Sequence, residues 1–543
     1  MKKILIIISS LTLITQLALA GSATWSASPG TDNWNTATNW VPSTIPNGTS
    51  DIATFDFSNS PEVTVTGKIT VNSTVFSSAA NAYTITDDSP QTMTISGAGI
   101  SNNSGIGQHF QINDVAEMDL TNSATITGPI VIDVMGDVMS DSTAGSLVFK
   151  NTTNAGEATL TAEPTHSIYA ANINFYDTST ASNAVITAKG KASADQLTGG
   201  VVAFFKRSTA ADATITCEGS AVLNGPGACF FYENSEAGSA TIIANGGTSS
   251  GAEGGIIHFN SGATANSTLI ANGGTNGGSG GQLQIDNSAS GTQPRIELFG
   301  NSILLISASV TIGSLEGEGT VTLKLYNLSI GANGLSTTFS GIFQDGTFAG
   351  GAITKIGAGT LTLLGASLNT GGATVNQGTL LVSNQTGSGT GTGPVQVNAG
   401  TLGGSGIIAG AVTVGTGTGA GAVLAPAADS RTQTTLTTQG TLTLLADSTY
   451  KCSAKGRGHE ALTDSVVANG ATITGARFAF RPRIVGTLQA GTVFTVISNT
   501  SANPISGNFT NLADGAVLTV SGTHFQASYE GGDGNDLTLT VVP

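Results

Sequence analysis

Charged side chains are scarce in this chain of 543 residues: they make up 10% of it, and only 18 of them are lysine or arginine. Binding a phosphate backbone requires clustered basic residues, and here they are spread along the whole chain. This argues against nucleic acid as a partner. The net charge of −16 favours solubility and disfavours binding to anionic surfaces.

Cysteine and histidine are also scarce, with three and five residues. No group of them has the spacing of a zinc site, so we expect no metal and no other cofactor. Long apolar stretches are missing as well. After residue 20, none reaches the roughly 18 residues that indicate a membrane-spanning helix, and we expect no such segment in the mature chain.

The first 20 residues have the parts of a secretory signal peptide. Lys2 and Lys3 give a basic start, residues 4–19 are mainly apolar, and residues 18–20 (Ala-Leu-Ala) fit a small-x-small cleavage site. Polar residues interrupt the apolar stretch, which favours a removable signal over a retained membrane anchor. We therefore predict that the protein is exported.

Glycine is abundant, with 74 residues, and the tripeptide Gly-Thr-Leu recurs with gaps of 19, 22, 40 and 46 residues. Each copy opens a short alternating run, such as residues 360–363 (Thr-Leu-Thr-Leu). One such run is too small to bury a core, whereas copies about 20 residues apart can share one by stacking. The spacing predicts a solenoid. The copies begin at Gly359, Gly378, Gly400, Gly440 and Gly486.

A second repeat occupies the middle third of the chain. Each copy has an aromatic strand, a turn of small polar residues and a second strand that ends in a small residue. These end positions are spaced by 26, 29, 27 and 27 residues, a period typical of stacked rungs: Ala162, Ala188, Cys217, Ala244 and Ala271. We expect the aromatic residues to stack along one wall, with His258 at that position in the fifth copy. The first four are Phe149, Phe175, Phe204 and Phe231.

Helical periodicity is close to absent after the signal peptide, and the two repeats together predict an all-β fold. We interpret it as a parallel β-helix with β caps at both ends, and a β-sandwich or propeller array is the alternative. The predicted segments are a signal peptide (1–20), an N-terminal cap (21–105), a β-helix with aromatic repeats (106–345), a Gly-Thr-Leu repeat region (346–410) and a C-terminal β region and cap (411–543).

All three tryptophans, Trp25, Trp34 and Trp40, fall in the N-terminal cap. Flat rings stack on the apolar faces of sugars, so these residues are candidate ligand contacts. Bulky amphipathic rings also suit the end of a core, which they would plug. We favour the plug, because an end cap needs bulky residues.

Cys217 and Cys229 are a candidate disulfide pair, since they could meet across neighbouring rungs and an exported chain can be oxidised. Alternatively they are small apolar residues of the core. Alanine holds the position of Cys217 in the other copies, which slightly favours the second interpretation.

Residues 351–382 resemble the autotransporter-associated β-strand repeat of exported bacterial proteins. The family's Lys-x-Gly-x-Gly-Thr-Leu-x-Leu core corresponds to residues 355–363, its Gly-Gly-x-Thr turn to residues 371–374 and its closing Gly-Thr-Leu to residues 378–380. The resemblance implies a right-handed parallel β-helix, similar to an autotransporter passenger, at the cell surface, associated with the outer membrane or extracellular. We expect no C-terminal translocator barrel in this chain, and hence another export route.

Charged residues in the turns of the aromatic repeat are the nearest approach to a catalytic cluster. Lys206, Arg207 and Asp212 lie close in sequence, and Asp177 and Glu233 occupy similar points in neighbouring copies. They would carry catalysis only if they shared one cleft. Solvation of exposed turns is enough to explain them, and we expect no enzyme.

Residues 531–539 (Gly-Gly-Asp-Gly-Asn-Asp-Leu-Thr-Leu) resemble a calcium-binding nonapeptide. Sites of that type share ligands between stacked copies, and one copy is present. A turn that leads into the last strand is the better interpretation.

The sequence thus predicts a non-catalytic exported scaffold, adhesin-like or structural in the envelope. Its polar turns would contact surface glycans or another envelope protein. The alternative is an enzyme on the same scaffold that degrades or binds polysaccharide. That alternative requires several ionisable side chains in one groove, because the fold alone does not determine function.

Overall fold

The computed structural model describes an all-β chain. It forms a parallel β-solenoid of about 17 turns, as the repeats predict, and the sandwich and propeller alternatives are wrong. Its only helical element among the described residues is a 3-10 turn, Ala37–Asn39. The predicted signal peptide lies outside the described residues, which are 21–136, 144–286, 293–419, 421–428, 433–458 and 460–543.

Alternation of threonine with branched apolar residues explains the strands. In Thr360–Leu363 both leucines are buried and both threonines face outward, as the two-residue period of a strand requires. Because β-branched threonine fits a half-buried pleated surface and leucine fills the core side, four alternating residues are enough to form one side of a coil.

Over the described residues, the first sheet has 16 strands, forms one wall and is parallel except where Ala23–Trp25 meets Trp40–Val41. In spatial order its strands are Trp40–Val41, Ala23–Trp25, Gly48–Phe55, Ile69–Phe76, Met93–Asn102, Glu117–Leu120, Ser146–Phe149, Asn172–Phe175, Val201–Phe204, Ala228–Phe231, Ile256–Phe259, Gln282–Ile285, Ile303–Ile306, Thr320–Thr322 and Ile342–Gln344, with Thr125–Thr127 beside Met93–Asn102.

The second sheet runs through both repeat regions and therefore joins them in one solenoid. Its parallel strands are Glu62–Val65, Thr84–Asp87, Gln108–Ile112, Ile130–Val134, Thr159–Ala162, Val185–Ala188, Thr214–Cys217, Thr241–Ala244, Thr268–Ala271, Arg295–Leu298, Ser314–Gly317, Thr337–Phe339, Thr360–Leu363, Thr379–Val382, Gly400–Gly403, Ala422–Leu424, Ser448–Gly458 and Arg477–Leu488. Glu460–Thr463 adds to it as an antiparallel neighbour of Ser448–Gly458.

Two further sheets complete the later turns. The third sheet has nine strands: Val310–Ile312, Asn327–Ile330, Ala352–Lys355, Gly372–Val375, Val395–Val397, Val412–Val414, Leu442–Leu444, Ala471–Thr474 and Ser506–Asn508. The fourth has seven: Ile407–Ile408, Thr435–Thr438, Ser465–Ala468, Val493–Asn499, Asp536–Val542, Thr523–Gly531 and Val517–Val520. Its last strands pair antiparallel, so the parallel coil ends in a meander.

The register of the aromatic repeat confirms the predicted columns. The small end residues pair in the order in which the sequence spaces them, from Ala162 to Ala271. Inside the wall, the rings of Phe149, Phe175, Phe204 and Phe231 stack at centroid distances of 4.5, 4.7 and 4.8 Å. All four are fully buried.

The expected place of His258 in this column is wrong by one residue. Phe259 pairs with Phe231 and stacks on it at 4.6 Å, whereas His258 pairs with Phe230 on the outer face. A shift of one residue moves a strand side chain to the opposite face of the sheet. The inner aromatic ladder therefore extends over five turns without interruption.

The contacts of Lys355 explain why the Lys-x-Gly-x-Gly motif contains a lysine. Its side chain folds inward and is 2% exposed. The ammonium donates hydrogen bonds to the carbonyl oxygens of Ile356, Gly357 and Gln377 at 2.5, 2.8 and 3.3 Å. At Gly378, which has a φ of 71°, an added Cβ would lie 2.8 Å from the lysine nitrogen. The turn therefore needs glycine there, and the lysine satisfies carbonyl groups that would otherwise be buried without a donor.

Candidate functional site

The three tryptophans form the end of the core and not a surface. Trp25, Trp34 and Trp40 are at most 1% exposed, and they pack edge to face with centroids 4.9–5.1 Å apart. Each indole N–H donates to a backbone carbonyl, of Ser60, Pro46 and Trp34 respectively. In this structure the rings offer no face to a sugar, and they have the packing that we predicted for a plug.

The two central cysteines are both buried in the core as free thiols. Cys217 ends a strand of the second sheet, and Cys229 lies in the first sheet between Val202 and Ile257. Burial, followed by contact with Cys217, raises the pKa of the Cys229 thiol well above its ordinary value. The two side chains therefore face each other across the interior, and their pairing remains a prediction.

The charged turn residues do not share one cleft. Asp177 and Lys206 form an exposed ion pair at 2.6 Å, and Glu233 follows in the same column. Asp212 lies in the next local β-turn of the same coil, where its amide donates to the carbonyl of Ser182. These residues bring charges together along an edge of the solenoid, not around an enclosed volume.

The segment that resembles a calcium nonapeptide is a hairpin turn between Thr523–Gly531 and Asp536–Val542. The Asp536 carboxylate accepts a hydrogen bond from the amide of Asn499 at 2.8 Å. This carboxylate thus holds the hairpin against the neighbouring strand. Among the described residues, no three His, Cys, Asp or Glu side chains are grouped so that they could hold a metal ion.

An outer aromatic row is the first feature that the sequence analysis missed. We define it as Tyr176, Phe205, Phe230, Tyr232 and His258. Tyr176, Phe205 and Tyr232 each directly follow a buried phenylalanine of the inner ladder, so they face outward. Each continues the backbone ladder by donating its amide to the carbonyl of the preceding turn at 2.8–2.9 Å. The signal in the sequence is a pair of consecutive aromatic residues in three successive copies.

The rings of the outer aromatic row stack along the axis of the solenoid. The distances between centroids are 4.6 Å from Tyr176 to Phe205, 5.1 Å from Phe205 to Tyr232 and 5.7 Å from Tyr232 to Phe230. His258 closes the row, with its ring 6.0 Å from that of Phe230. All five residues are partly exposed. Burial raises the pKa of both tyrosines, so their hydroxyls remain protonated donors at neutral pH.

Ion pairs lie at the two ends of this row. Lys150 lies 2.7 Å from Asp119 at one end, and His258 lies 2.7 Å from Asp286 at the other. Burial acts to raise the pKa of Asp286, but hydrogen bonds from Gln284 and His258 outweigh it and lower the value. The Asp286 carboxylate is thus held ionised beside the histidine.

A polar groove on the second sheet is the other feature that the sequence analysis missed. It has a volume of about 580 Å³. Arg295 pairs there with two carboxylates, Glu297 at 3.0 Å and Glu316 at 2.5 Å. The groove is lined by Arg295, Glu297, Phe299, Glu316, Gly317, Ser336, Thr337, Thr338, Thr360 and Thr362.

No family model matches the chain, and a search of curated proteins finds no match. Among solved structures, the chain is similar to the crystal structure of the Haemophilus influenzae Hap adhesin, with 11% sequence identity and a TM-score of 0.26. The similarity covers 91% of this chain and 63% of the adhesin chain, so the chain spans less than two thirds of that protein. The fold assignment rests on the strand pairing itself. In the described part of the chain, no helix is long and apolar enough to cross a membrane.

Proposed function

We propose that this protein is an exported, non-catalytic scaffold, adhesin-like in its action, that contacts surface glycans or another envelope protein through its outward faces. The observation that carries the proposal is the outer aromatic row. It places aromatic side chains on the solvent side of a wall whose inner side already has its own aromatic ladder.

The row is not needed to fill the core. Phe175, Phe204 and Phe231 supply the stacking inside the wall and are fully buried. Tyr176, Phe205 and Tyr232 leave apolar ring surface in contact with water. An aligned set of exposed apolar groups between polar neighbours is typical of an interaction site.

The rings of the row also pack on one another. Each stacks on its neighbours along the axis, and Lys206 pairs with Asp177 in the adjacent β-turn. Side chains that are already ordered lose little conformational entropy on association. A long solenoid repeats such contacts along its axis, so weak individual contacts add up when a partner touches several turns.

The test is binding of the purified mature chain to an array of surface glycans and to intact bacterial and host cells. A variant with Tyr176→Ser, Phe205→Ser and Tyr232→Ser should bind at least tenfold more weakly. The matched control is Val185→Ser, Thr214→Ser and Thr241→Ser, which changes outward residues of the second sheet on the same turns. Equal binding by wild type and the aromatic variant, with both folded by circular dichroism, would overturn the proposal.

A further inference from the structure

We propose that the polar groove around Arg295 is a second binding site, and that it takes a neutral, hydroxyl-rich glycan. The groove lies on the second sheet, whereas the outer aromatic row lies on the first sheet. The inference therefore stands independently of the proposed role of that row.

The groove lies where the strand pairing of the second sheet becomes shorter. Ser314–Gly317 pairs with Thr337–Phe339 at a single position, Gly317 to Phe339, whereas the preceding pair of strands matches at four positions. Beyond this point the amide of Thr360 donates a hydrogen bond to the Ser336 hydroxyl oxygen at 3.0 Å. The strands therefore diverge over an outward surface, and the opening has a volume of about 580 Å³, within the range of small-molecule sites.

The groove holds donors and acceptors side by side in fixed positions. The Arg295 guanidinium bridges Glu297 and Glu316, which lie on adjacent strands and pair directly with each other. The side chain of Glu297 is 17% exposed, so this carboxylate is held at the base of the groove. A hydroxyl both donates and accepts. Neighbouring hydroxyls of a sugar can therefore donate to these carboxylates and accept from the remaining guanidinium N–H groups.

Phe299 supplies the apolar part of the site. It lines the groove and is 40% exposed. Thr338 and Thr362 continue the outward column of Glu297 and Glu316 over the next two turns, so hydroxyls extend the groove along the axis. An exposed ring beside a polar row matches a pyranose, which has one apolar C–H face and a hydroxylated edge.

The charge of the groove selects against acidic sugars. Arg295 offers one positive charge against the two carboxylates, so an excess of one negative charge remains. The exposed Glu318, whose carboxylate accepts from the amide of Gly300 at 3.2 Å, adds another nearby. Like charges across an interface cost affinity. Uronic or sulfated glycans are therefore excluded, and neutral ones are admitted.

The experiment is titration calorimetry of the full mature chain with cellohexaose and xylohexaose as neutral probes and hexagalacturonate as the anionic probe. We expect measurable binding of a neutral probe, at least tenfold weaker binding to Phe299→Ala, and no binding of hexagalacturonate. Phe57→Ala is the matched control, because Phe57 is an exposed phenylalanine, 60% accessible, in the N-terminal cap. It should bind as wild type does.

Reversing the net charge of the Arg295, Glu297 and Glu316 group adds a second readout. The double variant Glu297→Gln and Glu316→Gln keeps the size of both side chains and leaves Arg295 unneutralised, so it should gain binding to hexagalacturonate. No neutral probe binding to wild type, or equal affinity of Phe299→Ala and wild type, would overturn the inference. Wild-type preference for hexagalacturonate would overturn it as well. Shortening of a bound probe, seen by chromatography, would support the site but overturn the non-catalytic proposal.

Discussion

The Nζ atom of Lys355 lies 3.3 Å from the carbonyl oxygen of Gln377, which belongs to the next turn of the solenoid. One buried ammonium thereby links two turns through their backbones. Burial lowers the pKa of Lys355 from its ordinary value of 10.5 to about 8. Burial of this positive charge is therefore unfavourable, and the hydrogen bonds to the carbonyl groups offset that cost.

Lys355→Met should destabilise the chain near neutral pH by about 1–3 kcal/mol, because buried carbonyl groups lose their donor. Between about pH 8 and 10.5 the unfolded chain binds more protons at this residue than the folded chain does, so wild-type stability rises with pH. The variant has no such rise in stability. The difference in free energy of unfolding between wild type and variant should therefore widen between about pH 8 and 10.5. Urea unfolding at several pH values measures it, and parallel profiles would contradict the assignment.

Asp87 provides a test with the opposite sign. It pairs with Val65 and Ile112 in an inward column, and its Oδ1 accepts from the amide of Ser89 at 3.1 Å. Burial raises its pKa to about 7, against the lowering effect of the Ser89 hydrogen bond. The folded chain thus holds a proton that the unfolded chain releases from about pH 4, and stability falls as the pH rises to 7.

Asp87→Asn should remove this dependence and raise the free energy of unfolding above pH 7 by up to about 4 kcal/mol. At pH 4 the variant and wild type should differ little. Thermal unfolding at both pH values measures the difference. Asp212→Asn, at an exposed aspartate on another coil, is the control and should change stability by less than about 0.5 kcal/mol. Equal gains for both variants would point to general charge reduction instead.

The inner aromatic ladder predicts a dependence on position. Phe204 stacks on a ring on each side, whereas Phe149 stacks on Phe175 alone. Both alanine variants should lose about 3–5 kcal/mol, and Phe204→Ala should lose about 0.5–1.5 kcal/mol more, the value of one stacked pair. Chemical unfolding followed by circular dichroism compares them. A larger loss for Phe149→Ala would contradict the cooperative ladder.

The thiols give a fourth prediction. Cys217, Cys229 and Cys452 are all buried, and burial raises the pKa of Cys452 to about 12. Because the thiolate is the reactive form, Ellman's reagent should find no reactive thiol in the native chain.

After unfolding of reduced protein the same reagent should find three thiols. If protein isolated from an oxidising compartment shows one, the candidate pairing of Cys217 with Cys229 is supported. Three thiols in such a sample would rule that pairing out.

Much of the fold was predictable because repetition fixes it. The spacing from Ala162 to Ala271 gives the strand register, and alternation such as that at residues 360–363 gives the inward face. The place of His258 was wrong because the sequence at that copy also offers Phe259, and neighbouring residues differ only in which face they occupy. The structure resolves this choice by stacking Phe259 on Phe231.

The candidate sites were less predictable, for a physical reason. The outer aromatic row could have been predicted from the sequence, since Tyr176 and Phe205 directly follow phenylalanines of the inner ladder. The polar groove was not, because it depends on one weak strand pairing, Gly317 with Phe339, which no repeat records. The three tryptophans were identified from the sequence. Composition alone does not distinguish a plug at the end of the core from an exposed surface that binds sugars.

The turn after the outer aromatic row has a further consequence. Asn151, Asp177, Lys206 and Glu233 all adopt left-handed backbone angles, with φ between 56° and 61°. An amide, two acids and a base thus share one backbone geometry that few residues other than glycine adopt. The fold does not dictate which side chain stands there. This edge of the solenoid can therefore carry side chains of different charge on successive coils without disturbing the interior.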